Sequence, residues 1–135
     1  MINEIRSPTG NWKIRNDSEG SGEFGAKRGW RFHESLDFEL LDFDELPEQP
    51  IYAPISGIIL RIVRAYKNDV YRGVIISDGE RMCRVMYFLP TAKIGQSVIA
   101  GDQIGIAQDI SKRYNGNMKP HIDTRLVVKA KRKQL

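Results

Sequence analysis

The chain has 135 residues, 41% apolar and 28% charged, with 12 Gly and a single Cys. That is the length of one domain able to bury its own core without disulfide or metal staples, and the composition is neither disordered nor collagenous. Four of the 21 Lys and Arg fall in the last seven residues, leaving 17 of each sign in residues 1–128, which argues against a folded basic face for nucleic acid.

In chain order, Met1 to Arg6 carries no apolar leader core, so synthesis in a cytosol is expected. Residues 1–35 are rich in Gly, Ser, Asn and charge; Asn16 to Ala26, with three Gly and two Ser, reads as turns around one buried Phe. Leu36, Phe38 and Leu40 then alternate with Asp37 and Glu39, which predicts an extended segment with its acids on one face. An acidic insert spans Asp42 to Glu48, closed by Pro47 and Pro50. Strand-like runs follow at Ile58–Val63, Val70–Ser77, Met82–Leu89, Ser97–Ile99, Ile104–Ala107 and Ile122–Val128, most of them separated by Gly or Pro. Short strands at close spacing with turn signals between them predict an all-β domain with little helix. One domain over residues 1–128 is expected, with Lys129 to Leu135 a solvated basic tail. No apolar run approaches the roughly 20 residues that cross a bilayer, so no membrane insertion is expected.

Cys83 is the only cysteine, which excludes an intrachain disulfide and a CxxC motif. Chemistry therefore rests on the two histidines, each with an acid close by: His33 with Asp37, and His121 with Asp123. On a strand, His121 and Asp123 project from one face with Cβ atoms about 6.5–7 Å apart. The spacing fits two readings. Either each is a hydrogen-bonded His–acid pair, or the two pairs meet across adjacent strands on one ion. Arg28 and Tyr87 read as structural, and Trp12 and Trp30 as packing or rim residues.

Order along the chain adds a resemblance. Gly22 to Gly29, His33 to Phe38, Ile51 to Gly57, Gly95 to Val98, Gly101 to Gly105 and His121 to Asp123 together resemble the lysostaphin/LytM-type zinc metalloendopeptidases over about residues 20–128. Cys83 to Phe88 is also similar to the leukocyte cell-derived chemotaxin branch, which keeps the fold and metal. The resemblance implies the rolled antiparallel sheet of the duplicated hybrid motif, and a zinc ion held by His33, Asp37 and the residue at 123. It implies catalytic imidazoles at 121 and 88. His33, Asp37 and His121 match, whereas Asp123 stands at a metal-ligand His position and Phe88 at a catalytic His position. A His-Asp-Asp set can bind zinc at similar distances but is harder, and discriminates less against Mn²⁺ or Ca²⁺. Phe88 can neither donate a hydrogen bond nor shuttle a proton, and one missing donor costs about 10²–10³ in turnover.

The expectation is a degenerate divalent-metal site, with His121 as a base or stabiliser, in a weak or inactive protein directed at bacterial cell-wall peptide. An active zinc endopeptidase, for example a phage virion or lysis component, and a non-catalytic module for a protein partner are the alternatives. Pieces of the sequence also resemble a glucose-specific phosphocarrier, but His121 follows both Gly-rich segments here, the wrong order for that carrier. A biotin or lipoate carrier fails for want of an acceptor-lysine tip.

Overall fold

The computed structural model describes residues 5–17, 20–22, 27–28, 31–32, 35–40, 49–67 and 70–128. The acidic insert, Phe24, Trp30, the Arg28 side chain and the basic tail lie outside the described residues. The strands in chain order are β1 (Asn16–Asp17), β2 (Gly20–Ser21), β3 (Lys27–Arg28), β4 (Arg31–Phe32), β5 (Leu36–Glu39), β6 (Pro50–Tyr52) and β7 (Gly57–Arg64). They continue with β8 (Arg72–Ser77), β9 (Arg81–Met86), β10 (Phe88–Pro90), β11 (Ser97–Val98), β12 (Gln103–Ala107) and β13 (His121–Val128). The all-β architecture is as the turn spacing predicts, and its antiparallel pairing is as the resemblance implies. Part of the Gly-rich stretch read as turns is instead a short hairpin, β1 with β2.

Six strands form one sheet in the order β11-β7-β8-β9-β13-β5, and three form a second in the order β10-β12-β6. The apolar positions of alternating strands meet between them. Ile59, Val74, Ile76, Cys83, Val85 and Ile122 from the large sheet share one buried cluster with Ile51, Phe88, Ile104 and Ala107 from the small one. Each is at most 1% exposed, and burial of the Ile, Val and Phe side chains among them contributes about 1.5–3 kcal/mol apiece. The Cys83 thiol sits in this cluster, and burial pushes its pKa up to about 12.

The run Met82–Leu89, read as one strand, is two. It breaks at Tyr87, whose φ of 82° lies in the left-handed region; a bulky residue adopts that only where its surroundings hold it there. Tyr87 N–H donates to the Arg72 carbonyl at 2.7 Å, and its own carbonyl accepts from Gln108 N–H at 2.9 Å. The turn sends the chain from the large sheet into the small one, so Phe88 enters the core. A side chain at Gly105 would meet the Phe88 ring at 2.4 Å, so the ring packs directly on the bare backbone.

The face of the large sheet away from this core is set by strand register. Asp37 lies opposite Asp123, Asp123 opposite Met86, Met86 opposite Gly73, and Gly73 opposite Val63. His121 lies opposite Glu39. Side chains two apart on a strand share a face, so His121, Asp123, Asp37 and Glu39 project together.

Candidate functional site

The terminal stretch before β1 builds one wall of the site. Ile14 bridges to Phe38, and Glu39 N–H donates to Lys13 O and Arg15 N–H to Asp37 O, at 2.9 and 2.8 Å. The segment therefore lies along β5 as a further strand and covers that sheet edge. Gly22 closes the corner, accepting from Asp37 N–H at 2.9 Å and donating to Arg15 O at 2.7 Å. A Cβ at Gly22 would sit 2.4 Å from Asp37 Cβ. Only glycine permits this approach.

Arg15 occupies the centre. Its side chain is 2% exposed; its Nε donates to Asp37 Oδ2 at 3.1 Å and its Nη1 to Asp17 Oδ1 at 2.8 Å. Burial alone would lower its pKa, but the hydrogen bond to Asp17 and the charges of Asp37 and Asp17 more than offset that, and the net shift is upward. Asp17 in turn accepts from Lys119 N–H at 2.7 Å, tying the first hairpin to the entry of β13. Glu39 lies 3.8 Å from both Lys13 Nζ and Lys119 Nζ.

His121 is 2% exposed, and its Nδ1 lies 2.7 Å from the Lys119 carbonyl oxygen. A carbonyl only accepts, so Nδ1 carries the proton and Nε2 presents its lone pair. Nε2 lies 3.7 Å from Asp37 Oδ2, too long for a hydrogen bond. Burial, then the Arg15 charge, depresses the imidazole pKa to about 4 against the opposing Lys119 hydrogen bond and the nearby Asp123. At neutral pH this is therefore a neutral imidazole facing a carboxylate and not an ion pair. Two electron-rich atoms 3.7 Å apart suit a shared electrophile or a bridging water.

The Tyr87 ring meets His121 edge to face at 5.3 Å, and its hydroxyl lies 3.2 Å from that of Tyr66. Tyr66 also bonds the Tyr114 hydroxyl at 2.9 Å and carries the Arg113 guanidinium 3.9 Å over its ring. The 3₁₀ turn Ile110–Tyr114, capped by Asp109 accepting from Ser111 N–H at 3.0 Å, delivers those last two residues. Burial and the Tyr114 hydrogen bond push the Tyr66 hydroxyl up to about 12. Burial, then the Asp123 charge, raises the Tyr87 hydroxyl as well. Tyr71 packs edge-on against both Tyr66 and Tyr87.

Of the residues singled out from sequence, Asp37, His121 and Asp123 converge, and His33 lies outside the described residues. Phe88 is fully buried in the core, and its neighbour Tyr87 is the residue that faces His121. Trp12 packs edge-on against Phe38 at 5.7 Å. Sequence reading missed Arg15 and Asp17. Their i, i+2 charge alternation was visible, but nothing in the spacing marks an arginine in a polar stretch as buried.

Asp37 and Asp123 are two oxygen donors on directly opposed register positions. Among the described residues no three His, Cys, Asp or Glu groups form a metal-ligating cluster. Of the three ligands expected from sequence, Asp37 and Asp123 are described and His33 lies outside the described residues.

No family model matches the sequence, and no curated protein does. Solved structures do. The catalytic domain of the antimicrobial peptidase lysostaphin from Staphylococcus simulans superposes with a TM-score of 0.56 at 22% identity, over 82% of this chain and 78% of that one. The catalytic domain of the prophage-encoded protein EnpA from Enterococcus faecalis gives 0.58 at 16%, over 93% and 88%. The chain has the lysostaphin-type fold. A zinc-containing peptidase from Vibrio cholerae carries that fold too, with a TM-score of 0.59 at 16% identity, over 93% of this chain and 37% of that one. At such identities the likeness concerns the scaffold, and function is argued from the site.

Proposed function

We propose that this protein is directed at the peptide of bacterial cell walls and carries a degenerate form of the divalent-metal site, weakly active or inactive as a hydrolase. The observation that carries the reading is that Asp37, Asp123 and the tautomer-fixed His121 share one face of the large sheet, Asp37 opposite Asp123 and 3.7 Å from His121 Nε2. His33, Asp37 and Asp123 would hold the metal, zinc or a harder divalent ion, which when bound would polarise a carbonyl and acidify water. His121, with its Nε2 lone pair available, would accept a proton or position a water. Two features weaken catalysis. The Arg15 cation 3.1 Å from Asp37 Oδ2 repels a second positive charge on the same carboxylate. Tyr87 and buried Phe88 supply no second imidazole.

Metal analysis and wall digestion test this together. About one divalent ion per chain is expected after loading with zinc or manganese, lost in Asp37→Ala. Purified peptidoglycan should be bound and release few new amines. Because Phe88 lies in the core, Phe88→His would bury a polar ring, so Asp123→His is the informative reversion and should raise both zinc content and amine release. A chain that takes up neither metal and does not bind peptidoglycan would overturn the proposal. Strong release by the unaltered protein, abolished by Asp37→Ala, would favour an active endopeptidase, a reading supported by the fixed His121 tautomer.

A further inference from the structure

The open face of the large sheet changes character along its strands. Next to the His121 and Asp123 rows comes a row of cations, in which Arg61 lies opposite Ile75, Ile75 opposite Arg84, and Arg84 opposite Arg125. Beyond it Ile58, Met82 and Val127 are each 44–46% exposed. Successive rows are about 6.5–7 Å apart along a strand. A groove of about 540 Å³ crosses this face, lined by Arg61, Arg64, Arg84, Met86, Tyr87 and Asp123 among others.

Its cations are poorly satisfied. Arg61 and Arg64 are exposed and have no carboxylate partner among the described residues. Arg84 Nε is buried without a hydrogen-bond partner, and its Nη2 is 3.7 Å from Asp123 Oδ1, beyond hydrogen-bond length. The Arg84 side chain is nonetheless 41% exposed, so its outer guanidinium N–H groups, with those of Arg61, are available to a carboxylate for charge-assisted bonds.

We propose that this groove takes a peptide bearing a carboxylate, held by Arg84 and Arg61, with its uncharged backbone passing over Asp123 toward His121. This rests on the reading of the site as peptide-directed and adds the charge of the ligand. A polyanion fits worse, because Asp123 lines the same groove as the arginines and would face its next charge. One carboxylate next to neutral backbone matches the alternation. The Asp123 row lies one step from the Arg84 row, so the carboxylate belongs within one or two residues of the peptide segment that crosses Asp123.

The test is an NMR titration of the full chain at low salt with acetyl-Ala-Glu-Ala-Ala-amide and its Gln counterpart. A second pair, acetyl-Ala-Ala-Ala with a free or an amidated C-terminus, separates a side-chain carboxylate from a terminal one. In at least one pair the anionic member should bind about tenfold more tightly, as one charged hydrogen-bonded pair implies. Arg61→Gln with Arg84→Gln should abolish the preference without moving the melting temperature, and 0.5 M salt should shrink it. Equal binding within both pairs, or tighter binding of tripolyphosphate than of either anionic peptide, would overturn the proposal. Carboxylate preference in a protein that neither binds nor cuts peptidoglycan sinks the wall reading and leaves the groove assignment standing. Peptidoglycan binding with no carboxylate preference does the reverse.

Discussion

Replacing Arg15 by methionine keeps much of the side-chain volume and removes the charge. Asp37 and Asp17, 3% and 7% exposed at their side chains, then lose the guanidinium that sits 3.1 and 2.8 Å from them. Removing one partner of a buried ion pair costs about 3–5 kcal/mol, because the other charge stays buried without it. Asp17 keeps the Lys119 N–H at 2.7 Å, which favours the lower half of that range. For a domain of this size the loss corresponds to a fall in melting temperature of roughly 10–20 °C. Urea denaturation of the full chain at pH 7 gives the free energy directly, with and without zinc. The deficit should narrow on acidification as the carboxylates lose their charge. Zinc should restore more stability to the variant than it adds to the parent, since the repulsion between cation and ion is gone. A variant within 1 kcal/mol of the parent at pH 7 would refute the argument that Arg15 holds the carboxylates together.

The His121 imidazole is depressed to about 4 from an ordinary 6.5, chiefly by burial. Its neutral form is therefore the native one. The unfolded chain binds the extra proton between those values, so stability is complete above pH 6.5 and declines toward pH 4 by about 3 kcal/mol. Denaturation midpoints across that window should lose this slope in His121→Gln; an unchanged slope would assign it elsewhere. Gly22→Ala forces a Cβ to within 2.4 Å of Asp37 Cβ and should cost about 1–3 kcal/mol through the backbone shift it demands, measured by thermal melting; a variant as stable as the parent would show that the corner has room.

Residues with a local signal were legible in the sequence. Alternation in Leu36 to Leu40, and apolar runs such as Ile122 to Val128 with Gly and Pro between them, specified strands, because a strand's pattern is written in neighbouring residues. Asp37 and Glu39 on one face, and His121 with Asp123, follow from a strand's period of two. That Asp37 and Asp123 belong to one site was an expectation from family resemblance, and the β5–β13 register places them opposite each other.

Only the tertiary structure decided the rest. The left-handed turn at Tyr87 sends Phe88 into the core and leaves Tyr87 against His121, and no propensity marks a tyrosine for positive φ. The arginine row across β7, β9 and β13 joins residues up to 64 positions apart in sequence. Arg15 reads locally as a surface cation in a polar stretch. Its burial depends on two carboxylates, one of them 22 residues away, and a long-range charge balance of that kind leaves no trace in the spacing of neighbours.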